Sequence, residues 1–119
     1  MMMAASDKVD FRRLKGWTIE FWIRLKNDAH NSVIFHVPPI QANLSLDCPP
    51  SQEDPRYGKI RINGWAGAGA KPAGNKDIHT KSKIVNGQWR YIAVTFERGG
   101  KVKVYVDGIF ENERDSTGL

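Results

Sequence analysis

The chain of 119 residues is long enough for one domain with a single core, and 40% hydrophobic with 26% charged residues is the composition of a globular protein. No run approaches the roughly 20 apolar residues of a membrane helix, and the opening MMMAASDKVDF has no apolar stretch long enough for a secretory signal. A single cysteine, Cys48, excludes an intrachain disulfide and reads as a small packed or loop residue, while the net charge of +5 leaves room for an anionic partner.

Residues 1–7 read as a tail, with the domain expected over 8–119. Val9 and Phe11 alternate with polar neighbours as a short strand, and Leu14-Lys15-Gly16 turns the chain. From Trp17 to Leu25 the odd positions Trp17, Ile19, Phe21, Ile23 and Leu25 form one apolar face, a period of two that would be scattered around a helix. Trp22 breaks the polar face opposite. Asn27 to Asn31 is a polar turn. Ser32 to Val37 is a strand ended by Pro38-Pro39, and Ala42 to Asp47 is a short strand with Leu44 and Leu46 inward. DCPPSQEDPRY, 47 to 57, holds three prolines and forms a loop. Gly58 to Trp65 alternates as a strand. Gly64 to Lys76 is too rich in glycine for regular structure unaided, and Lys81 to Val85 reads as a short strand leading onward. No repeat and no helix emerge.

Residues 86 to 110, NGQWRYIAVTFERGGKVKVYVDGIF, read as a three-stranded antiparallel meander. Residues 89–97 and 101–106 are rich in β-branched and aromatic types, and Gly99-Gly100 and Asp107-Gly108 supply left-handed turn conformations. A three-residue loop of Arg98, Gly99 and Gly100 sets Phe96, Val94 and Ile92 opposite Val102, Val104 and Val106. A one-residue slip would place cationic side chains against that apolar row. Ile109-Phe110 begins a return strand, after which ENERDSTGL reads as a polar tail.

The Gly-Gln-Trp opening, Ile-Ala-Val-Thr-Phe, a glycine turn and Val-Tyr-Val-Asp-Gly resemble the core signature of laminin-G-like domains of the concanavalin A-like lectin and glucanase superfamily. Trp17-Thr18-Ile19-Glu20-Phe21-Trp22-Ile23 resembles that family's first long strand. The resemblance spans roughly residues 8 to 112 and implies an all-β fold, an antiparallel β-sandwich of the concanavalin A-like jelly-roll type. It also implies a further strand beyond the end of this chain, so that the copy would be C-terminally truncated with an unpaired edge. By family counterpart Trp89 is a core residue, and Trp22 packs under a loop or second layer, with a sugar platform as its alternative. The family's setting implies an extracellular location and leaves calcium binding through dispersed loop ligands open.

Catalytic chemistry finds little support. Glycoside hydrolysis uses two carboxyl groups at about 5 to 9.5 Å, but Glu20 has no acidic partner on its strand, Asp107 serves a turn, and Glu111 and Glu113 sit in the polar tail. The chain is therefore expected not to be an enzyme. His30, His36 and His79 lack metal-ligand spacing, no calcium-loop motif is present, and no cofactor is expected. The glycine-rich run lacks the ending of a phosphate loop and opens no helix, so nucleotide binding is not expected; no nucleic-acid partner is expected either. A ligand site is expected where Trp65, at the mouth of the glycine run, has Asn63, Arg61, Asn75 and His79 nearby: an aromatic face with polar groups suits a sugar ring, although Trp65 could equally cap the core.

Charge offers a competing site. Arg56 to Lys103 carries eleven Lys and Arg against Asp77 and Glu97, a local +9, while residues 1–55 carry −1 and 104–119 carry −3. That bias suits an anionic glycan on Lys101 and Lys103, or is simply the wet side of alternating strands. Three expectations stand: carbohydrate recognition at a loop edge, a protein-interaction or adhesion module of a larger chain, and binding of an anionic glycan through the basic strands. The oligomeric state is open.

Overall fold

The computed structural model describes residues 15–26, 30–37, 42–63 and 77–115. Eight strands are present among them: β1 (Gly16–Arg24), β2 (Ser32–Val37), β3 (Ala42–Asp47), β4 (Lys59–Asn63), β5 (Ile78–His79), β6 (Trp89–Glu97), β7 (Lys101–Val106) and β8 (Ile109–Asp115). They form two antiparallel four-stranded sheets, β1-β6-β7-β8 and β2-β3-β4-β5. The expected tail and strand before Leu14 lie outside the described residues, as do the turn at Pro38-Pro39 and the glycine-rich run.

Alternation builds the sandwich. Ile92, Val94, Phe96, Val102, Val104 and Val106 from one sheet meet Leu44, Leu46, Ile60, Ile62 and Ile78 from the other in a common buried core. Trp17, Phe21 and Ile23 of β1 pack against its margin. The β6–β7 register pairs Phe96 with Val102, Val94 with Val104 and Ile92 with Val106, the arrangement that the apolar row demands. Both residues of the β7–β8 turn have positive φ, 53° at Asp107 and 81° at Gly108, as a two-residue hairpin requires.

Two segments depart from expectation. The strand expected over Lys81 to Val85 is instead an irregular run after the two-residue β5, because Ile84 and Val85 are both buried and adjacent rather than alternating. Ile84 N donates to Gly58 O at 2.7 Å, and Gly58, at φ 73°, is where a side chain would strike Val85. The expected polar tail is β8. Its polar side chains serve the other sheet: Asn112 Nδ2 donates to His79 O at 3.0 Å, and Arg114 Nη1 donates to Asp77 O at 2.6 Å. The Glu111 carboxylate, at a register shift, accepts from Lys81 N at 3.0 Å and Ser82 N at 2.9 Å. Backbone groups at the β5 edge need partners, and β8 supplies them.

Candidate functional site

Two outer faces of the sandwich carry the polar and aromatic residues that recognition would use. On the β2–β5 sheet, Arg61 and His79 are direct cross-strand partners. Arg61 Nε donates to Asp77 Oδ2 at 2.6 Å, and Arg61 Nη2 pairs with the same oxygen. His79 Nε2 lies 3.0 Å from Asp47 Oδ2. The Asp77 side chain is only 10% exposed and its other oxygen, Oδ1, is buried without a hydrogen bond. Asp47, His79, Arg61 and Asp77 thus form a row across three strands in which each basic group is pinned by an acid. Among the described residues, Arg61 Nη1 and the second ring nitrogen of His79 have no hydrogen-bond partner.

Of the residues expected in a ligand site, Arg61 and His79 come together here, and Asn63 is placed by its backbone at the end of β4. Trp65 and Asn75 lie outside the described residues. The pinning acids Asp47 and Asp77 were not anticipated. Asp47 alternates outward from Leu44 and Leu46, which is a local signal, but its partner His79 is 32 residues away.

The outer face of the other sheet is aromatic. Trp22 is 64% exposed and Trp89 is 61% exposed, so neither is the covered or core residue that the family pattern implied. Parity explains both: Ile92, Val94 and Phe96 point inward, which turns Trp89, Tyr91 and Ala93 outward, and Trp22 lies opposite Tyr91. The Trp22 and Tyr91 rings meet at 5.2 Å, and those of Tyr105 and Phe110 meet edge-on at 5.8 Å. Ala93 sits between the pairs, opposite Glu20 on one side and Tyr105 on the other. The Tyr91 hydroxyl donates to the Glu20 carboxylate, which raises the phenol pKa above its ordinary value.

The basic residues do not converge. Lys59 and Arg61 lie on one outer face and Lys101 and Lys103 on the opposite one. Several are paired: Arg56 with Asp54 at 2.8 Å, Arg90 with Asp107 at 2.7 Å and Lys101 with Glu113 at 2.7 Å, besides Arg61 with Asp77. The Arg56 guanidinium lowers the Asp54 carboxyl to about 2. Glu111 and Glu113, two positions apart, are committed to different partners, one to the backbone at 81–82 and the other to Lys101. Among the described residues, no group of three His, Cys, Asp or Glu is placed to hold a metal ion. Cys48 is half-buried against the core margin, and burial pushes its thiol pKa up.

Residues 3–119 match the family model described as the concanavalin A-like lectin/glucanases superfamily, in its laminin G form. Among solved structures, the mouse laminin alpha1 chain domains LG4-5 superimpose with a TM-score of 0.65 at 17% identity, covering 95% of this chain and 26% of that one. The binding domain of Paraclostridial Mosquitocidal Protein 1 superimposes with a TM-score of 0.64 at 19% identity, covering 88% of this chain and 26% of that one. The chain thus spans about a quarter of the length of each. No curated protein sequence matches it.

Proposed function

From the premise that this chain belongs to the concanavalin A-like lectin/glucanases superfamily in its laminin G form, whose domains are generally non-catalytic binding modules, we propose that it recognises carbohydrate and performs no reaction on it. The observation that carries this reading is the row Asp47–His79–Arg61–Asp77 on the outer face of β3–β5. A sugar presents vicinal hydroxyl groups that both donate and accept. A guanidinium and an imidazole held side by side by carboxylates offer them fixed partners with little side-chain entropy left to lose. Asn63 extends the row in sequence along β4, and Trp65 and Asn75 are near it in the sequence. Glu111 and Glu113 are each held by a different partner, which supports a binding role over hydrolysis by that pair.

An extracellular setting goes with this reading, as does independence from calcium. The split of the basic residues between opposite faces favours neutral glycans over an anionic polymer. A glycan array of neutral and sulfated sugars, run at low and roughly physiological salt with and without EDTA, tests it. Binding to neutral sugars that survives salt and EDTA is expected, with loss in His79→Ala and Trp65→Ala. Binding to sulfated sugars alone, lost with salt, would move the ligand to the basic strands. No binding by a folded chain would leave the protein-interaction reading in its place.

A further inference from the structure

We propose that the outer face of the β1-β6-β7-β8 sheet is where a second copy of this chain docks, back to back, about a two-fold axis that passes over Trp22. The face has aromatic surface to bury. Trp22 is 64%, Trp89 61% and Phe110 49% exposed, with Tyr91 and Tyr105 half-buried between them. Ile109, 69% exposed, is not part of this face: it pairs with the inward Val106 and so has the parity of the core side, at the β8 edge. At roughly 200 Å² per aromatic side chain, the three exposed residues leave about 350 Å² to water. Isolated exposed apolar residues need no explanation, but a cluster of that size does.

Charge selects the occupant. Consecutive outward positions of β1 hold Glu20, Trp22 and Arg24, an acid, a ring and a cation in line, with about 7 Å from each to the next along a strand. A two-fold axis lying between the faces, across the strands and over Trp22, reverses that order in the second copy. Each Glu20 then faces the partner's Arg24, and Trp22 meets its own counterpart. Every such contact is made twice, as an isologous interface requires. Both charged groups have capacity for it. Glu20 Oε2 accepts from the Tyr91 hydroxyl and Arg24 Nε donates to Gly87 O at 2.8 Å. Among the described residues, Glu20 Oε1 and the two terminal nitrogens of Arg24 have no hydrogen-bond partner. The two side chains are therefore held in place with atoms to spare, and little entropy is lost on pairing.

The neighbouring strand obeys the same symmetry. Trp22 is opposite Tyr91, Arg24 opposite Trp89 and Glu20 opposite Ala93, so the axis also passes over Tyr91 and exchanges the places of Trp89 and Ala93. The exposed Trp89 thus falls on the partner's Ala93, large against small, as the side chains of packed sheets interdigitate. A partner of another kind needs no such inversion of sign and size; a second copy does. Pairing removes about 700 Å² of aromatic surface, and the flanking ionic contacts bring the total near the roughly 1,000 Å² of a specific but weak interface. It leaves the two β3–β5 rows on opposite outsides of the dimer, so that two ligands can be held at once.

Sedimentation equilibrium of the purified chain, from roughly 1 μM to 1 mM, tests the proposal. A reversible dimer is expected within that range. Glu20→Lys and Arg24→Glu, each checked for folding by circular dichroism, should each weaken it by about tenfold or more, because like charges then meet at two places. Mixed in equal amounts, the two single variants should pair with each other at about the wild-type affinity, since every contact across the axis again joins opposite signs. Glu20→Gln keeps an acceptor for the Tyr91 hydroxyl and should weaken pairing about threefold, so a charge reversal that disturbs the fold leaves the test open. A chain that stays monomeric to the highest concentration overturns the proposal and leaves the aromatic face to a partner of other chemistry. A dimer indifferent to all three substitutions overturns it too, as does a mixture of folded single variants that fails to recover. Dimerisation needs no sugar, so its failure and that of the β3–β5 reading are read separately.

Discussion

The two outer faces of this sandwich are written by the same alternating pattern and have opposite physical characters. On β3–β5 the outward side chains are short or ionic, and they lock one another: Arg61 to Asp77, His79 to Asp47. On β1, β6, β7 and β8 they are rings that touch in pairs and leave much of their area open. A locked ionic row holds its guanidinium and imidazole in fixed places, so it can discriminate ligands by geometry. An open aromatic face has unrealised burial, so it can contribute affinity without close fit. Both faces depend on one aliphatic core between them.

That shared dependence sets the largest expected effect. Ile92 is fully buried, faces Val106 and packs within the cluster joining both sheets. Ile92→Ala should cost about 2–5 kcal/mol, a large part of the stability of a domain this size. Urea unfolding followed by circular dichroism and by tryptophan fluorescence reads it, and both signals should move to the same lower midpoint. If the two midpoints separated, the sheets would unfold independently and the comparison would fail.

A contrast of intermediate size sharpens the difference between the faces. Removing Arg61 leaves the Asp77 carboxylate, 10% exposed, without its cation, whereas removing Trp22 withdraws a ring already 64% in water. Arg61→Ala should cost about 1–3 kcal/mol. Trp22→Ala should cost under about 1 kcal/mol. Urea midpoints of the two variants side by side decide it. Equal losses would mean that the aromatic face is structural rather than open.

What the sequence discloses follows the range of the interactions. The β6–β7 register is legible because the glycine turn and the apolar row are local and agree. The strands β2 and β3 are legible from alternation and flanking breakers. The pairing of Arg61 with Asp77 and His79 with Asp47 is not, since it needs the order β3-β4-β5, which no local pattern encodes. β8 reads as a tail because Glu111, Asn112 and Arg114 are polar, and their use as partners for backbone groups of β5 and its successor exists only once the sheets have met. Trp89 shows the converse. Family likeness suggested the core, but its own parity with Ile92, Val94 and Phe96 points it outward, and the period of two was the better guide.

The smallest expected effect lies at the rim of the aromatic face, where Asp107 fixes the start of β6. Its backbone N donates to Tyr91 O at 2.7 Å, Oδ1 accepts from Tyr91 N at 3.0 Å, and Oδ2 accepts from Arg90 Nε at 2.7 Å. The Tyr91 amide first, and Arg90 with it, hold the carboxyl below its ordinary pKa. A group whose folded pKa is lowered contributes stability above its unfolded pKa, about 3.9, and loses it as pH falls through the folded value. The side chain is 42% exposed, so solvent keeps the contribution modest. Asp107→Asn tolerates the positive φ of 53° and keeps an acceptor for the Tyr91 amide, but it does not titrate. The variant should therefore be slightly less stable than wild type at pH 7, and the gap should close as pH falls below about 4. Thermal melts at both pH values check it. A gap that stayed constant would assign the contribution to turn geometry rather than charge. The ionic lock would then matter only on the β3–β5 face, where its carboxylates are the more buried.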